Sequence, residues 1–484
     1  METIEESDQL MSRSQSSSNE TCSEESPTSE GRKRPKVIKD EDMIKANIEV
    51  DDNNSSDSSE VCDALAPVFV SQYHVVKHIF EYLRLVDVLQ TALVNKQWAE
   101  IGQRVRKQRK NLPFTVLYHP YIPEHKLAFE YFNGFEVSEE AQQLIRSESR
   151  GRQPVKSWKN PALPVEAGLL VRKVFLGAYD ESQLMIAFGT SAFDKSLTAA
   201  NNRREDELKE RMELIFGDIQ NHVPCISSFS CGLVVTLPDI CKALEMENNT
   251  FPCLSCLAIP KVQGLQVKMF NVTHKQNKKL KGRVRTEEIR DILGIEKEKE
   301  DKLKGIVLLQ KVTYRTAPLI AAILHYIRTK PNVALGGGIH ESVLLTGTPD
   351  DNVLAGGMLI YGEDNVRVSS IALQETKIST NNQSKIDQLK ASMIPDGRSF
   401  AIMFACNGRG VGMHGRPNVE ADLFNAHFPT TPLVGAFTLG EFCNEVISTG
   451  TNAPVEPPKR IDFAYTTVFV MVSYKHISET QDSK

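Results

Sequence analysis

Nowhere in the 484 residues is there an unbroken apolar stretch of about the 20 residues a membrane-spanning helix needs. Residues 1–63 are almost wholly polar, so no apolar run marks a secretory leader. The chain also lacks several signatures of catalysis. No Gly-Lys-Ser/Thr follows Gly336-Gly337-Gly338, so that run is not a phosphate loop. There is no His-Glu-x-x-His and no Gly-x-Ser-x-Gly. The 11 histidines, His340 and His414 among them, form no ligand spacing. Cys253-x-x-Cys256 has no second pair to complete a four-ligand zinc site, and its apolar surroundings make both thiols core residues. These absences leave no expected metal or cofactor and no expected membrane contact.

What is present is ordinary for a globular chain: 40% hydrophobic and 25% charged residues. The net charge of −5 gives the whole chain no electrostatic reason to bind nucleic acid. That charge is uneven. Residues 1–60 hold 7 Lys/Arg and 16 Asp/Glu, which leaves the remainder with a small positive balance. Nine scattered cysteines, an odd number, fit free thiols in a reducing compartment. Inside the acidic stretch, Gly31-Arg32-Lys33-Arg34-Pro35-Lys36 reads either as a nuclear import signal or as a solvated charge run.

Residues 1–64 have too little apolar surface to offset the entropy of ordering them and are expected to be disordered. Short helices are expected over 73–110. Beyond them, strands alternate with helical patterns: Phe114–Tyr118, Leu169–Val171, Leu233–Val235, Val267–Val272, Ile306–Leu309, Met358–Tyr361, Val366–Leu373 and Phe400–Ala405 read as strands. Tyr465–Tyr474 is too apolar to be an edge strand. Arg204–Phe216 reads as a surface helix, Lys275–Arg285 as an exposed loop, and Thr286–Lys304 as one helical run. Ala317–Thr329 is an amphipathic helix with Ile320, Ile323, Leu324 and Ile327 on one face. The pattern is that of an α+β protein.

Two constellations carry functional information. In the first, Val75, Val76, Ile79, Phe80 and Leu83 fall at helical spacing, and Asp87 can cap a second helix that carries Leu89. A unit this short cannot close a core alone. The series Ile79-Phe80-x-Tyr82-Leu83-x-x-x-Asp87-x-Leu89-x-x-x-x-Val94-Asn95-Lys96-x-Trp98 resembles the F-box family, with Ser71-Gln72 standing where that family opens with Leu-Pro. In the second, Phe404-Ala405-Cys406-Asn407-Gly408-Arg409-Gly410 precedes Asn418-Val419-Glu420-Ala421-Asp422, Phe428-Pro429, Pro432, Gly435 and Gly440-Glu441. This series resembles the C-terminal part of the FIST domain.

The resemblances imply an F-box at 65–110 and a mixed-sheet FIST-type body with flanking helices. Its N-terminal half would span 111–304 and its C-terminal domain 305–475. Polar tails would lie at 1–64 and 476–484. The implied role is that of a non-catalytic substrate receptor in a Skp-cullin-F-box ubiquitin ligase, cytoplasmic and nuclear. Its partners would be a Skp-type adaptor, a cullin scaffold, a RING subunit and a protein substrate marked for degradation. Val76, Ile79, Phe80, Leu83 and Leu89 would face the adaptor, and Trp98 would bridge to the body. The alternative is a small-ligand sensor of the FIST kind.

Cys406, Gly408, Arg409 and Gly410 follow a strand and read as a substrate or ligand pocket. There Arg409 would bind a carboxylate and lower the pKa of Cys406. The competing reading is a tight glycine turn beside an inert thiol. Glu420, Asp422 and Glu441 read individually as solvent-facing. Catalysis by Cys406 would need a general base that no His motif supplies.

Overall fold

The computed structural model describes residues 73–82, 91, 94–109, 114–118, 128–129, 171, 182–201, 211–237, 242–247, 252–280, 285–312, 317–348, 352–374, 380–449 and 456–475. All of these fall in the larger of two units into which the chain divides, Pro67–Lys484. The expectations for 1–64 and 476–484, and those for Leu83 and Leu89, lie outside the described residues.

The described residues begin with helices α1 (Tyr73–Tyr82) and α2 (Lys96–Arg109). Asn95 starts α2 by accepting the backbone N–H of Trp98 on its Oδ1 at 2.9 Å. Strands β1 (Phe114–Tyr118) and β2 (Ala128–Phe129) follow. Next come β3 (Ser182–Thr190), helices α3 (Ser191–Asn201) and α4 (Arg211–Phe216), and strands β4 (Cys225–Ser230), β5 (Gly232–Leu237) and β6 (Lys242–Met246). After β7 (Leu254–Pro260) and β8 (Leu265–Thr273) stand α5 (His274–Lys279), α6 (Thr286–Leu293) and β9 (Leu303–Lys311). Helix α7 (Ala317–Thr329) leads to β10 (Ala334–His340), β11 (Ser342–Leu345), β12 (Val353–Gly362) and β13 (Val366–Leu373). The last part runs α8 (Thr380–Ala391), β14 (Arg398–Cys406), α9 (Gly410–His414), α10 (Val419–His427), β15 (Leu433–Thr438), β16 (Glu441–Asn444), β17 (Asp462–Phe463) and β18 (Thr467–Tyr474).

The strands form three six-stranded mixed sheets, in the orders β11-β4-β3-β7-β1-β2, β17-β16-β10-β9-β12-β8 and β13-β18-β14-β15-β5-β6. Each sheet has one parallel pair: β3 with β4, β9 with β10, and β14 with β15. A helical crossover joins each pair, as parallel strands require. The second strand of each pair then hands the chain to the next sheet. Thus β4 is followed by β5 in the third sheet, β10 by β11 in the first, and β15 by β16 in the second. The three exit points touch in a ring. Glu341 N–H donates to Phe229 O at 3.0 Å, and Ile339 and Leu439 N–H groups donate across to Gly440 O and Ile339 O, both at 2.9 Å. Ser230 Oγ closes the ring on Phe437 O.

The inner faces of all three sheets share one core, containing Ile186 and Phe188, Leu309 and Met358, and Ile402 and Val470. Helices cover the outer faces in three separate apolar layers. Gly336-Gly337-Gly338 is strand rather than loop. A Cβ at Gly336 would stand 2.0 Å from Val470 and one at Gly338 2.5 Å from Thr438 Cγ2. These glycines therefore let two sheets approach closely. Cys253 and Cys256 are core, and none of the described cysteines is in a disulfide. Strand β18 lies between β13 and β14, inside its sheet.

Five expectations change. Residues 274–279 form a helix rather than a loop, because Thr273 and Gln276 make a reciprocal capping box. The run from Thr286 breaks at Gly294, which takes φ 68° and ends α6; a 3₁₀ turn over Lys297–Lys302 precedes β9. Val171 is helical and buried, with the rest of its expected strand outside the described residues. In α4, Met212, Leu214, Ile215 and Phe216 are buried, so the described end of that expected surface helix is core. On α7 the inward face is Leu319, Ala322, Ile323, Tyr326 and Ile327, with Ile320 and Leu324 at its margin.

Candidate functional site: a half-open helix pair and a closed charged turn

Helix α1 has two apolar stripes, each spaced i, i+4. Val76 and Phe80 turn inward and pack with Ile101 and Trp98 in a cluster of their own. The Phe80 and Trp98 rings meet edge to face, 5.5 Å between centroids. Val75 and Ile79 turn outward, Ile79 being 49% exposed, and Val94 beyond them is 62% exposed. Val76 and Phe80 are therefore the core of the pair and not its outer surface. Trp98, partly buried, packs against this small cluster. Its indole Nε1 is buried with no acceptor among the described residues. Of the expected adaptor-facing residues, Ile79 alone is described as exposed; the sequence reading passed over Val75 and Val94.

The Cys406–Gly410 turn sits where β14 ends. Gly410 takes φ 58°, and a Cβ there would stand within 2.4 Å of the Glu247 carboxylate. That carboxylate accepts the Val411 N–H at 2.8 Å. Arg409, 1% exposed, turns inward. Its Nε lies 3.0 and 3.2 Å from the two Glu420 oxygens, its Nη2 also bonds Glu420, and its Nη1 donates to Tyr465 O at 2.7 Å. The carboxylate that Arg409 holds is the chain's own. Burial alone would raise the Glu420 carboxyl, but the His414 ring 3.7 Å away, the hydrogen bonds and charge of Arg409 and the Thr467 hydroxyl hold it below the ordinary value.

Next to it, Glu245 Oε1 accepts the N–H groups of Glu420 and Ala421 at 3.1 and 2.7 Å, at the start of α10. Burial drives this carboxyl up to about 8, against the Ala421 hydrogen bond and with help from the Glu420 and Glu247 charges.

The Cys406 thiol is half-buried. Burial raises its pKa, and the Glu441 charge adds to this. The expectation that Arg409 would lower it fails, because the guanidinium charge is spent on Glu420. Glu441 is itself buried, accepting Thr438 Oγ1 at 3.0 Å and Thr466 Oγ1 at 2.7 Å, and burial lifts it to about 7. Glu420 and Glu441 are thus interior residues, and only Asp422 faces water as expected. His340 was missed by spacing arguments. It is fully buried between Phe188 and Phe404, with neither ring nitrogen partnered among the described residues, and burial lowers its pKa to about 3. No group of three or more metal-ligating side chains occurs among the described residues.

Comparison with known proteins bears on the region of the charged turn. Residues 287–444 match the family model of the FIST C domain. The chain is similar to F-box only protein 22, at 33% identity over 125 residues for the Homo sapiens protein and 32% over 125 residues for that of Pongo abelii. The aligned stretch is 24% of this chain and spans 31% of the length of each relative. Among solved structures, the crystal structure of a cyanuic acid hydrolase from A. caulinodans covers 65% of this chain and 96% of its own, at 9% identity and a TM-score of 0.29.

Proposed function

We propose that this chain is the substrate receptor of a Skp-cullin-F-box ubiquitin ligase, with an F-box over 65–110 and a FIST-type body over 111–475. The helix pair docks a Skp-type adaptor, which bridges to the cullin and RING subunits. The body holds a protein substrate, in the cytoplasm or nucleus, for ubiquitination and degradation. The receptor makes and breaks no bonds. It raises the local concentration of substrate lysines near the charged conjugating enzyme.

The observation that carries this reading is Ile79, half exposed on a helix pair whose own small core is already filled by Val76, Phe80, Trp98 and Ile101. Full burial of a side chain of this size contributes about 1.5–3 kcal/mol. Covering Ile79, Val75 and Val94 with an outside helix is therefore a strong drive to association. The similarity to F-box only protein 22 supports the same assignment. The small-ligand alternative draws less support, since the arginine it would use holds Glu420.

The test is co-purification of the full chain with a Skp-type adaptor, wild type against Ile79→Asp. The wild type should retain the adaptor at equimolar ratio and the variant should lose it while keeping its melting temperature. Equal retention by both would sink the assignment.

A further inference from the structure

The two ends of the second sheet differ in how their lysines are used. At the end where β9 begins, four of them are ion-paired. Lys302 meets Glu363 at 2.7 Å, Lys330 meets Asp301 at 3.0 Å, and Lys268 and Lys299 share Glu296. The opposite end is where β9 finishes. Val272 of β8 and Gln310 of β9 both pair with Ala355 of β12, so Thr273 and Lys311 end together with one strand between them, about 10 Å apart. Helix α5 starts there, and its sequence, His274-Lys275-Gln276-Asn277-Lys278-Lys279, has no acidic residue. Lys275, Lys278 and Lys279 are exposed and Lys311 is half-buried, and none has an ion-pair partner among the described residues. Beside them Val312 is 49% exposed, its N–H donating to His340 O at 2.7 Å.

We propose that this end of the sheet is a docking surface for an acidic segment of a partner protein that carries an apolar side chain beside its carboxylates. The argument is charge complementarity. Lysines concentrated on one turn of helix, with no ion-pair partner among the described residues, repel one another, and a partner's carboxylates relieve that repulsion. Val312 offers an apolar contact within the same footprint. A nucleic acid is the less suitable occupant, because α5 interleaves no aromatic side chain on which bases could stack. The inference rests on the substrate-receptor reading for its meaning, since it gives the substrate class as one with an acidic recognition segment.

The test uses the full chain and a fluorescent synthetic peptide in which Glu and Asp surround two Leu residues. An uncharged Gln/Asn version and a single-stranded oligothymidylate of matched charge serve as comparators. Fluorescence anisotropy should show saturable binding of the acidic peptide that weakens as salt rises. It should fall by about tenfold or more on combined Lys275→Glu, Lys278→Glu and Lys279→Glu, and survive replacement of the same lysines by Arg. Binding by the triple Glu variant within about twofold of wild type would overturn the proposal. So would tighter binding of the oligothymidylate. Ile79→Asp separates the two readings, since it should lose the adaptor and keep the peptide. A wild type that binds the peptide through these lysines but no adaptor would remove the ligase role and leave the surface standing. Adaptor binding without lysine-dependent peptide binding would do the reverse.

Discussion

The helix pair and the sheet body solve the same burial problem in opposite ways. The body turns the inner faces of three sheets onto one another and covers the outer faces with helices, so its strands are buried along most of their length. It also uses up its interior charges, with Arg409 locked to Glu420 and Glu245 set against the start of α10. The pair seals one four-residue cluster and leaves Val75, Ile79 and Val94 outside. A region that satisfies itself is a scaffold, whereas one that leaves a stripe uncovered has an affinity to spend. Among the described residues of the body, the large apolar side chains left exposed are Val312, Leu439 and Tyr465, which follow or adjoin the ends of the parallel strands.

The sharpest way to break this contrast is Arg409→Met. It strands the Glu420 carboxylate in the interior, and removal of one partner from such a pair costs about 3–5 kcal/mol. Urea denaturation should register that loss, and adding Glu420→Leu should recover most of it; a single-variant cost below about 1 kcal/mol would mean the body is less self-contained than described. Next in size is Phe80→Ala, expected to cost about 3 kcal/mol, because an aromatic side chain is deleted from a closed cluster. Its effect should be local, with amide exchange rising across 73–109 while strand β14 stays protected.

A smaller effect comes from pH. Glu245 and Glu441 have folded pKa values of about 8 and about 7, above the ordinary carboxylate value of 4.5. Between 4.5 and these values the folded state holds more protons than the unfolded chain. Their contribution to stability is therefore complete below 4.5 and is lost as pH rises through 7 and 8. Glu245→Gln keeps the acceptor for the α10 N–H groups and should flatten the decline in melting temperature between pH 5 and pH 8. An unchanged slope would contradict the assignment. The smallest stability effect belongs to Ile79→Ala, expected to move unfolding by less than about 0.5 kcal/mol, as for a surface site. Its adaptor affinity should nevertheless fall by about tenfold, consistent with a hot-spot contact.

Much of the strand content could be read from the chain. The runs at Phe114–Tyr118 and Val366–Leu373 are strands with those limits, and Ala317–Thr329 is a helix with those limits. These segments carry their own periodicity, so local physics decides them. Lys275–Lys279 went the other way because a capping box depends on two side chains folding back on the backbone, which a count of lysines does not show. The charged turn was found by its glycines but misjudged in its chemistry. Nothing in Gly408-Arg409-Gly410 reveals that Glu420, eleven residues on, will return to meet the guanidinium. Likewise, Val75 and Val76 are neighbours of one residue type, and which of them faces outward depends on where α2 lies.

The amino-acid order alone sets which segments are apolar enough to become strands and helices, where glycine is required, and that a short helical unit precedes a body of alternating strands and helices. Those outcomes follow from hydrophobic spacing and backbone sterics within a few residues of each position. It took the tertiary arrangement to make strands hand over from sheet to sheet in a ring, to fill Arg409 from within, and to leave the lysines of α5 without an ion-pair partner among the described residues. Each of these depends on groups far apart in the chain meeting in space, where burial sets whether a charge is matched internally or left for another molecule.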